Sequence, residues 1–422
     1  MSKDTFNEAN YEQAIIELFT QQLGYEYIYG PDIVRDYTEP LFLDRLQQSL
    51  LAINPALPAV AIQEAIDKIR QIDTGSLVQR NEVFTDYLQN GVDVSYFDGK
   101  EQHSACVRLI DYDHPLHNNF VVANQWSIEE HSVRRADIIV FINGLPLVVM
   151  ELKSPSRTET NVSEAYAQLR NYMQEIPSLF VYNAFCVMSD LVTSKAGTIT
   201  SGEDRFMEWK TVDGQTEDNH FANFHVLFCG MFEQERLIEI LRDFICFSKE
   251  EKQSAKILAG YHQFYAVRKA ITSVKEATTT NGKGGVFWHT QGSGKSLSMV
   301  FFAKCLQRAL SSPTIVVITD RTDLDNQLFG QFSKCADFLR QVPVQAKSRK
   351  HLSELLDGIE ANGIFFTTMQ KFEEGEESLS QRRNIVVVAD EAHRSQYGLT
   401  ETIDKQTGKL KIGAARMVRN AL

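Results

Sequence analysis

The spacing of apolar residues changes along the first 235 residues, and the change predicts both helices and strands. Apolar positions recur every three or four residues in Tyr11–Leu23, which Gly24 follows as a C-cap, and through most of Asp36–Leu88, so both stretches are predicted to be helical. Asn143-Gly144 between two later apolar runs is typical of a two-residue hairpin turn. The later strands are predicted at Phe120–Ala123, Ala136–Ile142, Leu145–Leu152 and Leu179–Met188, with a helix at Ser163–Ile176.

The remainder of the chain has the regular alternation of an α/β domain. Residues 236–254 are predicted to form a helical linker that ends in a charged run. From Ala255 onward, helical stretches alternate with continuous apolar runs, as in a parallel sheet covered by helices on both faces. The predicted strands are Gly285–Trp288, Thr314–Thr319, Gly363–Thr367 and Asn384–Ala389. The pattern therefore predicts an α/β chain with domains at 1–235 and 255–422.

Composition narrows the class of protein. The 422 residues are 43% hydrophobic and 23% charged, which fits two or three folded domains. The net charge of −12 argues against nucleic-acid binding by the whole surface, so any DNA contact must come from local basic patches or from a basic partner. No apolar run approaches the roughly 18 residues that span a bilayer, and the polar N-terminus has no secretory signal. Six cysteines without a CxxC pair indicate free thiols in a cytoplasmic protein.

The most specific local pattern is His289-Thr-Gln-Gly-Ser-Gly-Lys-Ser296, which lies between an apolar run and a helical one. Glycines let backbone N–H groups surround a phosphate, and a helix N-terminus adds its dipole. His289 stands where the common GxxxxGK[ST] pattern has its first glycine. A glycine–serine turn that happens to precede a lysine is the alternative, and the flanking elements argue against it. The candidates for binding nucleotide phosphates are Gly292, Ser293, Gly294, Lys295 and Ser296.

A second pattern, Asp-Glu-Ala-His at 390–393, ends the apolar run that begins at Asn384. Carboxylates at the end of a buried strand are how such folds hold Mg²⁺ and a water beside the γ-phosphate. In this interpretation Asp390 holds the metal, Glu391 polarises the attacking water and His393 couples the site to a neighbouring domain. An exposed helix start is the alternative for these residues taken alone.

These two patterns together resemble the first motor domain of superfamily 2 helicases and translocases, a RecA-like P-loop domain with a parallel sheet. Val317–Leu328 resembles that family's motif Ia, and Phe366–Phe372 resembles the DNA-contacting motif that follows it. Tyr261-His-Gln-Phe resembles the adenine-reading segment, so the resemblance implies that Gln263 binds the base, although a lone helical glutamine is usually solvated. The resemblance implies ATP as ligand and Mg²⁺ held by Ser296 and Asp390.

A third set of charged residues lies on the predicted hairpin. Residues i and i+2 of a strand face the same side, so Glu151 and Lys153 point together, and the Asn-Gly turn brings Asp137 alongside them. Two carboxylates and an ammonium in this arrangement suit metal-assisted phosphodiester hydrolysis. A hairpin with a surface ion pair fits the same pattern, but the apolar residues around these charges favour a buried site.

The set Asp137, Glu151 and Lys153 resembles the site of PD-(D/E)xK nucleases, which have a mixed sheet flanked by helices. Gln168 and Tyr172 share one helix face at i,i+4 spacing and resemble the QxxxY element of a subset of these nucleases, although such a pair is more often an ordinary helix face. Glu12 on the first helix is the candidate for an accessory metal carboxylate, with Glu8 and Glu17 as neighbouring alternatives.

A nuclease domain followed by a helicase-type motor resembles the restriction (motor and endonuclease) subunit of type I restriction–modification enzymes. The resemblance is closest in Arg135–Pro155, Pro177–Phe185 and His289–Ser296. It implies double-stranded DNA as substrate, methyltransferase (modification) and specificity subunits as partners, ATP-driven DNA translocation, and cleavage at a distance in the cytoplasm. Because that family continues into a second motor domain, we expect this chain to be the N-terminal part, with nuclease and first motor domain.

Two other functions remain compatible with these residues. A stand-alone helicase-like repair nuclease would cut DNA without a methyltransferase. A catalytically silent module would only bind DNA or a partner, but intact Asp137, Glu151 and Lys153 argue against it.

Overall fold

The computed structural model of the chain describes residues 8–153, 162–218, 224–320, 322–372, 378–390, 402–403 and 410–411. The chain divides into two compact units, Met1–Phe264 and Tyr265–Leu422. Both units combine helices with a sheet, so the α/β prediction is confirmed. Among the described residues, no helix combines the length and the apolar character needed to cross a membrane.

The first unit contains eight α-helices and eleven strands within its described residues. The helices are α1 Glu8–Gln21, α2 Leu43–Ile53, α3 Ala59–Arg70, α4 Leu77–Asn90, α5 Val162–Glu175, α6 Pro177–Val181, α7 Phe224–Phe232 and α8 Gln234–Asp243. The strands are β1 Glu26–Tyr29, β2 Val92–Phe97, β3 Gln102–Val107, β4 Phe120–Glu129, β5 Val133–Ile142, β6 Leu145–Leu152, β7 Phe185–Ser189, β8 Ser194–Gly197, β9 Met207–Glu208, β10 Ile245–Lys249 and β11 Ser254–Leu258. Short 3₁₀ helices lie at Gly30–Asp32, Pro115–His117 and Glu203–Arg205.

A seven-stranded mixed sheet in the order β1-β4-β5-β6-β7-β8-β9 is the framework of the first unit. β1 runs parallel to β4 and β6 parallel to β7, whereas the other neighbours are antiparallel. All eight residues of β6 are buried, as expected for a strand with packing on both faces. One core cluster packs α5 against the sheet around Trp126, Phe141 and Val149.

The turn between β5 and β6 is the two-residue hairpin that the sequence predicts. Asn143 has φ 53° and Gly144 has φ 81°, the positive values that a type I′ turn requires. The Asn143 side chain donates to Leu109 O at 2.9 Å, and Gly144 O accepts from the Phe42 backbone N–H at 2.9 Å. The turn is therefore tied to two other segments, which fixes how β5 and β6 pair.

The second unit is built on a four-stranded parallel sheet in the order β13-β14-β12-β15. Its strands are β12 Thr314–Thr319, β13 Val344–Gln345, β14 Ile364–Thr368, β15 Ile385–Ala389, β16 Thr402–Ile403 and β17 Leu410–Lys411, the last two forming a separate antiparallel pair. The helices are α9 Tyr261–Thr279, which begins at the end of the first unit, α10 Lys295–Ala309, α11 Thr322–Lys334, α12 Ala336–Leu339 and α13 Arg349–Asp357, with a 3₁₀ turn at Met369–Phe372.

The structure differs from the predicted strand at Gly285–Trp288. These residues are described, but they form no strand, and Val286 and Trp288 are 83% and 79% exposed. Gly285 has φ +110°, which interrupts an extended run directly before the apolar residues. The apolar pattern alone could not show this, because periodicity does not report whether a neighbouring strand is available.

Two other elements also differ from their predictions. The expected helical linker at 236–254 is instead the end of α8 followed by β10, which pairs with β11 inside the first unit because Ile245, Cys246 and Phe247 are buried there. The expected strand Leu179–Met188 begins as α6, since Pro177 occupies the first turn of a helix, and becomes strand only at Phe185.

Candidate active site

Strands β5 and β6 bring the three residues of the D…ExK pattern together. Asp137 on β5 and Glu151 on β6 each lie one residue beyond the paired Ile138 and Met150 of the two antiparallel strands. The Leu152 backbone N–H donates to Asp137 Oδ2 at 2.8 Å and holds that carboxylate against the neighbouring strand. Lys153 Nζ lies 2.6 Å from Glu151 Oε1. The hairpin thus produces the cluster that the spacing and the Asn-Gly turn predict.

Burial dominates the electrostatics of this cluster. Burial, together with the nearby Glu151, raises the pKa of Asp137 to about 8. Burial also raises the pKa of Glu151, although the Lys153 ammonium opposes that shift. Burial alone would lower the pKa of Lys153, but Glu151 and Asp137 outweigh it and raise that pKa. Both carboxyl groups therefore resist ionisation until another positive charge is present.

One atom of the cluster is suited to a metal ion. Glu151 is 3% exposed, and its Oε2 accepts no hydrogen bond of normal geometry from the described residues, although Tyr172 lies close enough to lower the pKa of Glu151. A buried carboxylate oxygen without a partner costs roughly 1–3 kcal/mol. A divalent cation would satisfy this oxygen and would favour the ionised form of both carboxylates. The donor set fits a hard, oxygen-preferring ion such as Mg²⁺, held by Asp137 and Glu151.

Helix α5 adds Gln168 and Tyr172 to the same site. The Tyr172 hydroxyl donates to Arg135 O at 3.0 Å, on the strand that carries Asp137. Burial and the Glu151 charge raise the pKa of Tyr172, while its hydrogen bond with Gln168 lowers it. The structure therefore brings together all five residues of the D…ExK and QxxxY patterns, with the tyrosine as a neutral donor beside the carboxylates.

Glu12, the predicted accessory carboxylate, is engaged by two side chains of β4. Its two oxygens accept hydrogen bonds from Asn124 Nδ2 at 2.5 Å and from Gln125 Nε2 at 2.8 Å. Glu8, one turn earlier on α1, is instead the glutamate whose charge raises the pKa values of Asp137 and Glu151. The sequence named Glu8 only as a neighbouring alternative to Glu12, because residues four apart share a helix face and the pattern does not distinguish them.

In the second unit, the predicted phosphate loop has glycines with positive φ and is followed by a helix, although the strand expected before it is absent. Gly292 and Gly294 have φ values of +83° and +78°, and Gly294 is the N-cap of α10. The Ser293 backbone N–H donates to Thr290 O at 3.3 Å, which closes the turn. Lys295 and Ser296 are the first two residues of α10. Their backbone N–H groups and the helix dipole therefore lie at the position where an anion would bind.

Asp390 directly follows β15, at the carboxyl end of the parallel sheet. Its backbone N–H donates to Ile318 O at 2.8 Å, so it continues the pairing of β15 with β12. Ligands of open α/β sheets bind outside this edge. Glu391 and His393, the other predicted residues of this pattern, lie outside the described residues.

Gln263 has a structural partner within the first unit. Its Oε1 accepts a hydrogen bond from the Gly260 backbone N–H at 3.0 Å, and the residue is 5% exposed. Gln263 is the third residue of α9, so this contact is the reach-back half of a capping box. The structure gives the side chain a helix-capping contact, and its role in reading adenine stays a prediction.

Comparison with known proteins gives two family matches that divide the chain in the same order. Residues 5–205 match the family model described as type I restriction enzyme R protein N terminus, and residues 262–422 match the SWI2/SNF2 ATPase family model. The chain is similar to the type I restriction enzyme HindI endonuclease subunit of Haemophilus influenzae, with 40% identity over 99% of the chain and 41% of that protein. It is also similar to the type I restriction enzyme SauCOLORF180P endonuclease subunit of Staphylococcus aureus, with 29% identity over 68% of the chain and 30% of that protein. The chain thus spans less than half the length of these relatives.

Proposed function

Because the chain belongs to the family of type I restriction enzyme endonuclease subunits, we propose that its first unit hydrolyses DNA phosphodiester bonds and its second unit binds and hydrolyses ATP. One observation supports the nuclease assignment most strongly. The β5–β6 hairpin places two buried carboxyl groups and a lysine together, and the buried Glu151 Oε2 accepts no hydrogen bond of normal geometry from the described residues. Such a group is costly unless it binds something, and a metal ion is the partner that fits.

In the proposed reaction, Asp137 and Glu151 would hold Mg²⁺, which would supply Lewis-acid chemistry for hydrolysis of the phosphodiester bond. Lys153 places its ammonium beside Glu151, where it attracts the negatively charged phosphate of the DNA backbone. The Leu152 N–H fixes the Asp137 carboxylate. Gln168 and Arg135 O position Tyr172. Tyr172 in turn holds α5 against β5 and keeps water away from the carboxylates on that side.

The second unit is proposed to bind ATP at the start of α10. The N–H groups of Gly292, Ser293 and Gly294 would surround the phosphates, and Lys295 would supply a point charge. Ser296 and Asp390 would hold a second Mg²⁺, with Glu391, His393 and Gln263 in the roles that the motor-domain resemblance implies. ATP hydrolysis at this site is proposed to drive translocation along double-stranded DNA.

The partners proposed for the whole subunit are a methyltransferase (modification) subunit and a specificity subunit, in a cytoplasmic complex. The test is cleavage of an unmodified plasmid by the full-length subunit with both partners, with and without ATP and Mg²⁺. The proposal predicts cutting only when partners, ATP and Mg²⁺ are all present. Cutting by the subunit alone would favour the stand-alone repair nuclease, and no cutting under any condition would favour the silent docking module.

A further inference from the structure

A second cluster of metal-ligating side chains lies in the segment between β3 and β4, outside the nuclease site. Asp111 is followed by His114 and, one turn of 3₁₀ helix later, by His117. One ligand atom from each residue lies within 4.8 Å of the other two. The two imidazole rings stack with centroids 4.9 Å apart and an interplanar angle of 19°. Both rings therefore present their Nδ1 atoms to the same carboxylate.

Asp111 is held rigidly at the base of this cluster. The residue is 4% exposed, and its Oδ1 accepts hydrogen bonds from the Asp113 and His114 backbone N–H groups, each at 3.1 Å. Asn118 fixes the same residue through both its side-chain atoms, donating to Asp111 O and accepting from the Asp111 N–H. The loop thus uses one carboxylate oxygen for its own turn and leaves Oδ2 facing the two histidines.

The distances at Oδ2 match those of a coordination shell better than those of hydrogen bonds. Asp111 Oδ2 lies 3.5 Å from His114 Nδ1 and 3.4 Å from His117 Nδ1. Zinc binds imidazole nitrogen and carboxylate oxygen at about 2.0–2.2 Å, so two ligands of a tetrahedral site lie about 3.3 Å apart. An N–H···O hydrogen bond usually spans about 2.9 Å.

We propose that Asp111, His114 and His117 form a binding site for a divalent transition-metal ion of the Zn²⁺ class. Two imidazole nitrogens and one carboxylate oxygen are a donor set that such ions prefer and that Mg²⁺ and Ca²⁺ do not. Three protein ligands leave a fourth tetrahedral position. Both histidine side chains are 66% exposed, so that fourth position faces solvent.

The charges around the cluster are compatible with a cation. Arg108 Nη1 lies 3.8 Å from Asp111 Oδ1, on the far side of the carboxylate from the histidines, and 3.2 Å from Asp113 Oδ2. With neutral imidazoles, these two aspartates and one arginine leave a net charge of −1. This negative sum favours binding of a cation, and a divalent ion would bring it to +1.

A bound metal ion would cross-link the segment between β3 and β4. Arg242 on α8 donates to Tyr112 O at 3.2 Å, so the loop between Asp111 and His114 is already attached to α8. Linking the Asp111 carboxylate to His114 and His117 would also fix the exposed residues that follow Tyr112. The inference does not depend on the nuclease assignment, because none of the three ligands belongs to that cluster.

The test is titration of the full chain with ZnCl₂ by calorimetry, comparing the wild type with the double variant His114→Ala/His117→Ala. Excess Mg²⁺ is present so that the carboxylate cluster competes less for zinc. The double variant should lose one equivalent of bound Zn²⁺. Asp111→Asn keeps the oxygen that caps the turn but loses the charge. It should lower the Zn²⁺ affinity of this site by at least about 10-fold. Replacement of Zn²⁺ by Co²⁺ should give a visible absorption band in the wild type that the double variant lacks.

His103→Ala is the matched control, since His103 Nε2 also lies beside a carboxylate, 2.9 Å from Asp98 Oδ2, but no second histidine of the described residues joins them in a metal-binding group. It should bind Zn²⁺ as the wild type does. Circular dichroism checks that each variant is folded, which the exposure of both histidines leads us to expect. Equal Zn²⁺ stoichiometry and affinity in wild type and double variant, or no binding by the wild type, would overturn the proposal and leave Asp111 as an ordinary ion-pair partner.

Discussion

Glu8 and Glu12 lie one turn apart on α1, but their side chains have different surroundings. Glu12 has both carboxylate oxygens engaged by Asn124 and Gln125, whereas Glu8 acts electrostatically on the nuclease cluster. No sequence pattern separates the two, because both lie on the same face of α1. The cluster of Asp137, Glu151 and Lys153 could be predicted because strand alternation and the hairpin turn are local rules.

The first prediction concerns these two glutamates in the full-length subunit with its partners. Glu8→Gln should raise the Mg²⁺ concentration needed for half-maximal DNA cleavage by about 10-fold, because it removes a negative charge beside the metal ligands. Glu12→Gln is the matched control and should leave that concentration unchanged. The measurement is plasmid cleavage across a Mg²⁺ titration. An effect of Glu12→Gln as large as that of Glu8→Gln would contradict the assignment.

The second prediction is a pH dependence of metal binding. The pKa of Asp137 is raised to about 8, so at pH 7 this group is mostly protonated and must lose its proton to bind Mg²⁺. Binding should release about one proton at pH 7, and the apparent affinity should rise with pH until about 8 and then level off. Calorimetry in two buffers of different ionisation enthalpy measures the release. Equal heats in both buffers would show that Asp137 is already ionised.

At the scale of elements, the prediction was correct at the Asn-Gly turn and wrong where a strand needs a partner or where a proline begins a helix. Asn143-Gly144 forms the predicted hairpin turn. Gly285–Trp288 forms no strand, although its apolar residues predicted one. Pro177 began a helix where the apolar run suggested a strand. A strand is a property of two segments, so the hydrophobic pattern of one segment cannot establish it.

The third prediction tests the turn that holds the nuclease hairpin. Gly144 has φ +81°, and a Cβ there would lie 2.5 Å from Leu46 N and 2.6 Å from Phe42 O. Gly144→Ala should therefore lower the free energy of unfolding by about 3 kcal/mol or more, from backbone strain plus the clash. Gly99 has φ +97° with nothing within 4 Å of the same position, so Gly99→Ala should cost only about 1 kcal/mol. Urea unfolding measures both, and equal losses would mean that the contacts of Gly144 contribute nothing.

At the scale of the whole molecule, the sequence predicted two α/β units in the correct order, but not the polar contacts that close the first one. Lys256 on β11 is 3% exposed and donates to Asn81 Oδ1 at 2.8 Å and to Asn183 O at 2.7 Å. This buried lysine connects β11 to segments 73 and 175 residues away in sequence. Such long-range partners leave no periodic signal, which is why the boundary of the first unit was placed before these strands.

The fourth prediction concerns the coupling of the two activities. Lys295→Ala in the full-length subunit should eliminate ATP hydrolysis, because the phosphates lose their point charge at the start of α10. DNA cleavage should disappear as well, since the proposed mechanism requires translocation. Lys283→Ala, an exposed lysine shortly before the loop, is the control and should change neither activity. Cleavage that persists without ATP hydrolysis would contradict the proposed coupling.

The central claim is that the β5–β6 cluster is where DNA is cut, and Glu151→Gln tests it most directly. The variant keeps the size of the side chain but removes the charge that would hold the metal. In the complete complex it should abolish plasmid cleavage while DNA-stimulated ATP hydrolysis continues at the wild-type rate. Glu129→Gln, at the exposed end of β4 in the same sheet, should cut normally. Wild-type cleavage by Glu151→Gln would show that the phosphodiester bond is hydrolysed elsewhere.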